Sequence, residues 1–503
     1  MINVKKTIAV TLAAFIAAAA CSCGKNNENQ NDNMEKLIEG KYKVTEKGEP
    51  LGYSSFTFDY LGGETVMPIG GYWGPYISEL GSTVDGYKIP DLISDEIYSA
   101  IAEAGVNMIV RSQETASLTD SATVEKTLEI ADKYGIGVFT PVAPVDALAG
   151  RGTTYKKGDE YPFSMTEYAS LIRKLAAYDS FLGVSVTDEP LWSQMDGLEE
   201  AFRLFEKLGY GDKYASYTNV LPWTNSPNGF AGNKNKGVDE YFDTIYNEVK
   251  IPYLSSTGYY YTQKNTPDAQ LANMFVALSN MRKCAIKYNV PLWRMLQAGG
   301  QWNDSMDEVD SVDPYPNEGE FLFDVNVALA YGCKAIQYFP LVQPYFFAFE
   351  TGGKLDFKRN GLISAAGKKT EWWDYAKKAN EQIKAIDHIL MKSASVGLIA
   401  HGENAISLSR SYDESRTEFF KEEKFRQLTS VTGGDCYIGC FDYKGGTALY
   451  VVNYDRNGKT NVSLGFDDYY GYEITQRATT AEVMGKTVDL TLECGEGVLI
   501  VLK

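Results

Sequence analysis

Leu182-Gly183-Val184-Ser185-Val186-Thr187 runs directly into Asp188-Glu189-Pro190. The first six residues, rich in small and β-branched types, read as a short strand buried on both faces, and the paired carboxylates with proline end it. The same unit recurs along the chain. Between about Thr57 and Leu390, eight such runs alternate with longer segments of helical period: Val66 to Gly71, Met108 to Arg111, Gly137 to Val142, Leu182 to Thr187, Ala215 to Asn219, Tyr253 to Thr257, Leu292 to Gln297 and Ala335 to Phe339. Ile97, Ile101 and Ala104, or Val124, Leu128 and Ala131, give the intervening segments the three-and-four spacing of a one-sided helix. Roughly 330 residues in eight βα repeats predict an α/β fold of the (β/α)8 TIM-barrel type. A doubly wound open sheet is the alternative, but it would carry a glycine-rich phosphate loop after an early strand, and none is present.

Beyond Leu390 the pattern changes to short strands: Ser395 to Ala400, Ala405 to Leu408, Thr447 to Tyr454, Thr460 to Leu464, Thr487 to Leu492 and Val498 to Leu502. Turn signals at Asp435, Gly445-Gly446 and Asn457-Gly458 separate them, which predicts a C-terminal all-β sandwich. The expected organisation is a signal peptide over 1–23, a polar tether and N-terminal segment over 24–55, the barrel over 56–392 and the sandwich over 393–503.

The N-terminus carries Lys5 and Lys6, an apolar stretch from Ile8 to Ala20, and small residues before a cysteine, the three parts of a secretory signal. That stretch is too short to span a bilayer, and no later one is long enough. With Ala18, Ala19 and Ala20 before Cys21, it resembles a bacterial lipoprotein signal, which implies lipidation of Cys21, with Cys23 as the alternative. Such a lipid would be the only membrane attachment. Residues Gly24 to Asn33 are polar and suit a tether. Neither cysteine is followed by aspartate, so the resemblance implies the outer membrane, on its surface or periplasmic face.

The net charge of −18 becomes about −20 once the signal is removed, which disfavours nucleic acid and anionic lipid as partners. Cys284, Cys333, Cys436, Cys440 and Cys494 match no metal knuckle and no disulfide framework; Cys436 and Cys440 could bridge only from facing strands. The chain has two histidines, His388 and His401, which leaves serine or cysteine hydrolysis and zinc chemistry poorly supplied. No metal or other cofactor is expected, and chemistry falls to carboxylates, tyrosines or lysines.

In a TIM barrel the active site sits where strands end, so Asp188 and Glu189 would stand at the mouth of strand four. Beside an apolar strand and near Trp192, a carboxyl there is partly desolvated, as a general acid requires. At this motif the chain resembles (β/α)8 glycoside hydrolases, especially the retaining clan whose acid/base glutamate follows an asparagine at the end of strand four. The resemblance implies Glu189 as acid/base and Asp188 as its hydrogen-bonding partner. An Asp-Glu pair also resembles the substrate-assisted N-acetylhexosaminidases. The clan's nucleophile is a glutamate ending strand seven, where this chain has Gln297, and an amide cannot form a glycosyl ester. Asp304, Glu318, Glu320 and Glu350 are the candidate replacements, although Glu320 opens a helix, where acids commonly serve the dipole.

Aromatic residues make up 13% of the chain, and many fall at expected strand ends: Tyr72, Trp73 and Tyr76, then Trp192, Trp223, Tyr259 to Tyr261, Trp302, and Tyr345 to Phe347. Sugar rings stack their C–H faces on such groups. Tyr72, Trp73, Arg111, Gln113, Trp192, Asn219, Tyr259, Tyr261, Gln297, Trp302 and Tyr338 are therefore the expected substrate contacts. The expected partner is an oligosaccharide or polysaccharide, with other glycan-utilisation proteins as further candidates. Hydrolysis of an external glycan, or glycan binding without cleavage, fits these features.

Overall fold

Short apolar runs joined by amphipathic helices form a sheet whose two faces are both covered. In the computed structural model, which describes residues 56–77, 83–84, 87–88, 90–111, 121–222, 229–261, 268–299, 316–343, 361–410 and 418–503, eight parallel strands take this role. They are β1 (Ile69–Tyr72), β2 (Met108–Val110), β3 (Gly137–Thr140), β4 (Phe181–Asp188), β5 (Ala215–Asn219), β6 (Leu254–Ser256), β7 (Leu292–Gln297) and β8 (Ala335–Phe339). Each neighbours the next in chain order, and β8 pairs with β1 in parallel, Ile69 opposite Ile336. The strands β5, β7 and β8 coincide with the expected residues. The first starts at Ile69 rather than Val66, because a 3-10 turn over Gly63–Thr65 occupies the approach.

The ring closes between β5 and β6, where the backbone ladder is thin. Val220 bridges Ser256, and the Val220 N–H donates to the Ser255 carbonyl at 2.9 Å. Farther down, the Tyr253 hydroxyl completes the seam. It accepts from the Thr218 N–H at 2.9 Å and donates to the Ser216 carbonyl at 3.1 Å.

Strands that are not neighbours can touch only through the barrel interior. Tyr217 on β5 meets Tyr72 of β1 at 6.2 Å and Phe139 of β3 at 5.3 Å between ring centroids, and donates to Gln337 of β8. Tyr253 stacks on Tyr217 and, at 4.4 Å, on Trp293. Phe56 and Phe58 close the opposite end, against Tyr253, Trp293 and Phe139. The interior is thus a packed aromatic core, as small barrels require.

Around it run the helices, among them α1 (Asp95–Glu103), α2 (Ser121–Tyr134), α3 (Ala143–Ala149), α4 (Met165–Leu175), α5 (Met195–Lys207), α6 (Val238–Thr244), α7 (Asp268–Tyr288), α8 (Glu318–Ala330) and α9 (Glu371–Leu390). Ile97, Ile101, Val124, Leu128 and Ala131 are buried, as their spacing predicts.

The C-terminal unit is antiparallel: β9 (Ser393–His401), β10 (Leu428–Gly433), β11 (Cys436–Tyr443), β12 (Gly446–Asn453), β13 (Thr460–Gln476), β14 (Thr479–Leu492) and β15 (Gly497–Leu502). The long β13 changes partner along its length. Its first half pairs with β10 and its second with β15, and its ladder to β14 breaks between Gly465 and Tyr470. The sheet therefore folds over itself as a sandwich, with Ile438, Leu449, Val451, Leu464, Leu490 and Ile500 between the layers. Two expectations are corrected here. Ala405 to Leu408 is not a strand but lies in a helix, α10 (Glu403–Arg410), which buries Ala405 and Leu408, three residues apart, against α7. Cys436 and Cys440 lie on one strand, β11, as buried free thiols, so no bridge joins them.

The two units share a core. The α8 helix is buried on every side from Phe321 to Ala330, between β7, α9 and the strands β11 and β12. Gly439 lets β11 approach it: a Cβ there would lie 2.5 Å from the Ala330 carbonyl oxygen. Asn326 donates to the Gly495 carbonyl at 2.9 Å and accepts from Tyr450 at 2.6 Å. At the same junction the buried Lys334 ammonium donates to the carbonyls of Leu390 and Ser393, which end α9 and begin β9. Burial pulls its pKa down to about 7.

A lysine whose folded pKa lies below its ordinary 10.5 favours folding in its neutral form. Its contribution is full above 10.5, declines as pH falls toward about 7, and is absent below. Lys334→Met leaves two buried carbonyls without their donor and is expected to destabilise the chain by about 2 kcal/mol. Urea unfolding between pH 7 and 10 checks both points: the wild type should gain stability with pH relative to the variant.

Candidate active site

The fourth strand is the longest in the barrel, and a register shift between Ser185 and Thr187 re-aims its end. Asp188 then lies opposite Asn219 of β5. Glu189 follows in the left-handed region, at φ +46°, and its N–H donates to the Asn219 carbonyl at 2.8 Å. A residue with a Cβ is strained there by about 1–2 kcal/mol. Such strain collects at functional sites because the surroundings hold it in place.

Those surroundings are specific. Pro190 is buried, and its carbonyl accepts from Tyr241 at 3.0 Å. Gln194 accepts from the Leu191 N–H at 2.9 Å and donates to the Ala149 carbonyl at 2.7 Å. The turn is thereby tied to α3 and α6, and both carboxylates are left half-buried at the mouth.

Three strands place the polar groups. Thr257, just past β6, donates its hydroxyl to Glu189 Oε1 at 2.9 Å. Asn219 Nδ2 donates to Asp188 Oδ1 at 3.3 Å. The Tyr241 and Tyr259 phenols are raised well above their ordinary range, first by burial and then by the charges of Asp188 and Glu189, so both remain proton donors. The pair can accept hydrogen bonds through one carboxylate and exchange a proton through the other.

An aromatic wall stands beside it. Phe339 stacks on Tyr259 with centroids 5.2 Å apart and touches Trp73 at 4.6 Å and Tyr72 at 6.1 Å. Trp192 meets Tyr241 edge-on at 5.9 Å, and the Lys236 ammonium lies 4.0 Å above its ring. Tyr76 is buried, with its hydroxyl on the Gln343 carbonyl.

Other expected contacts have different roles. Tyr338 points away from the interior, bonding Asn380 of α9 at 2.7 Å and stacking on Phe321 of α8. The Gln297 amide is occupied by backbone: it accepts from the Tyr261 N–H at 3.0 Å and donates to the carbonyls of Tyr261 and Gly299. Tyr261 is accordingly buried under that clasp. Arg111 is buried beside Tyr98 of α1. Glu320 caps α8 reciprocally with Asn317, its carboxylate accepting from the Asn317 N–H at 2.9 Å, which is the dipole-serving role of an acid at a helix start. Glu318 pairs with Lys378 on the surface. Gln113, Trp223, Trp302, Asp304, Tyr345 to Phe347 and Glu350 lie outside the described residues.

Thr257, Tyr241, Phe339 and Lys236 belong to the site but were not expected in it. Thr257 and Phe339 end expected strands, so placement alone marks them; Tyr241 and Lys236 carry no local signal. Among the described residues no group of acidic, histidine or cysteine side chains has the arrangement of a metal site.

No family model matches the chain, and no curated protein matches it in sequence. Solved structures similar to it include glycoside hydrolases. α-Galactosidase I from Mortierella vinacea has a TM-score of 0.44 at 10% identity, over 88% of this chain and 98% of that one. A β-L-arabinopyranosidase from Geobacillus stearothermophilus has 0.43 at 10%, over 89% and 98%. A β-galactosidase from Marinomonas ef1 has 0.41 at 12%, over 70% and 67%. At such identities and scores, no activity or site residue passes from them to this chain.

The left-handed backbone at Glu189 has a direct test. Glu189→Gly is expected to be more stable than Glu189→Ala by about 1 kcal/mol, because both remove the carboxylate and only glycine relieves the strain. An alanine variant of equal or greater stability in urea unfolding would contradict that conformation.

Proposed function

We propose that the chain is a glycoside hydrolase acting on an extracellular or periplasmic glycan, with Glu189 as general acid/base and Asp188 holding a substituent next to the cleaved bond. The observation that carries this reading is the strained, clamped turn at the end of β4. It presents Glu189 to the Thr257 hydroxyl and Asp188 to Asn219, beside the wall of Phe339, Tyr259 and Trp73. Tyrosine and tryptophan rings suit the C–H faces of a sugar, and a half-buried glutamate suits proton transfer to a glycosidic oxygen.

Gln297 favours a second reading. Its amide is fully engaged by backbone at the end of β7, so that position offers neither a nucleophile nor a loose side chain. With that position closed, either another carboxylate serves, Asp304 and Glu350 being candidates outside the described residues, or the substrate's own acetamido group does, as in a substrate-assisted N-acetylhexosaminidase, or the chain binds a glycan without cleaving it.

A panel of aryl glycosides and plant or host glycans separates these readings. Glu189→Gln is expected to lower turnover by about 10²–10⁴-fold with the fold intact. Unchanged turnover would remove Glu189 from the mechanism. Glycan binding by the wild type with no hydrolysis on any substrate would establish the second, noncatalytic reading.

The same proposal places the protein in the cell envelope, anchored through a lipid on Cys21, with Cys23 as the alternative. The outer membrane, on either face, is the expected location. Labelled palmitate should enter the wild-type chain and be lost in Cys21→Ala. Loss only in Cys23→Ala would move the modification there, and no incorporation in the wild type would overturn the anchor.

A further inference from the structure

Beneath Asp188 a run of side chains crosses the barrel interior. Tyr217 Oη donates to Gln337 Oε1 at 2.7 Å, Gln337 Nε2 donates to Ser255 Oγ at 2.9 Å, Ser255 Oγ donates to Asn219 Oδ1 at 3.1 Å, and Asn219 Nδ2 donates to Asp188 Oδ1 at 3.3 Å. Four strands contribute, and Tyr217, Gln337, Ser255 and Asn219 are each at most 1% exposed.

The direction of this run follows from its Asp188 end. An ionised carboxylate only accepts, so Asn219 must turn its NH2 toward Asp188 and its oxygen toward Ser255. Ser255 then gives its one proton to Asn219 and accepts from Gln337, whose oxygen is left facing the Tyr217 phenol. The Tyr217 hydroxyl also lies 3.2 Å from Ser255 Oγ, which ties the far end of the run a second time. An N–H donated by Asn219 stabilises the charged carboxylate more than the neutral acid, so a run held in this direction favours ionised Asp188. Tyr217 is also a poor acid: burial pushes its pKa well up, with a further rise from the charge of Asp188.

We infer that Tyr217 and Gln337 are positioning residues for the proposed reaction, holding Asp188 ionised and oriented as a hydrogen-bond acceptor through Ser255 and Asn219. The division of labour at the mouth follows. Glu189, outside the relay and bonded to Thr257, is the carboxylate that exchanges its proton, while Asp188 accepts from a hydroxyl or amide N–H of the sugar next to the scissile bond. This functional meaning rests on the hydrolase reading; the relay itself does not. Among the described residues, the titratable groups around Asp188 are Glu189 in the chain beside it, Tyr217 on β5, Tyr241 on α6 and Tyr259 after β6, with Arg294 of β7 acting on Tyr259.

The test follows the Asp188 carboxyl carbon by NMR as pH is varied, with Asp188→Asn to assign the signal. Tyr217→Phe removes only a hydroxyl, and Gln337→Met keeps the side chain's length. Both are expected to raise the Asp188 midpoint by about one pH unit, whereas Thr218→Val, which removes a neighbouring hydroxyl bound to the Thr187 carbonyl, should leave it in place. A midpoint unmoved in Tyr217→Phe overturns the relay, as does an equal rise in Thr218→Val. If the midpoint moves as expected but no glycan is hydrolysed, the relay stands and the hydrolase reading fails.

Discussion

The seam between β5 and β6 is the constraint on which the rest of the molecule depends. A parallel barrel is stable only when its last edges meet, since an unpaired edge leaves a row of buried donors and acceptors without partners. Here the backbone contributes one bridge, Val220 to Ser256, and the Tyr253 hydroxyl bonds the rest of the edge at Thr218 and Ser216. A side chain thus does work that main chain does elsewhere in the ring. The same tyrosine stacks between Tyr217 and Trp293, so closure and interior packing are one event. Asn219 and Thr257, which hold the two carboxylates, stand immediately above this seam.

Much of the barrel was legible in the sequence because parallel strands buried on both faces read as short apolar runs, and β5, β7 and β8 coincide with those runs to the residue. The same property hides which side chains face inward. A strand covered on both faces has no alternation, so nothing local distinguishes Tyr338, which packs on the helices, from Gln337 and Phe339, which face the interior and the mouth. In the C-terminal unit, Ala405 to Leu408 failed for a different reason: four residues are too few for a period to separate strand from helix. The strands β10 and β11 went unread, although Cys436 to Tyr443 is buried almost throughout.

The candidate site divides along similar lines. Asp188 and Glu189 were legible because polar residues abruptly end an apolar run. Their partners Thr257, Tyr241 and Phe339 come from elements far apart in the chain, and only closure of the ring brings them together. The left-handed backbone at Glu189 was not legible at all, since glutamate is an unusual occupant of that region and proline after it suggests only a turn.

The burial of α8 on every side bears on how this architecture can be rearranged. A helix with one apolar stripe packs on one side only, but this one has no face left for solvent and joins barrel and sandwich residues in one continuous core. The C-terminal sandwich is therefore no detachable appendage. Exchanging it for another β domain would require a replacement that presents a glycine opposite Ala330 and an acceptor for Asn326. Barrel and sandwich are thus packed as one body through this helix, and a cut between them would expose apolar surface on both sides.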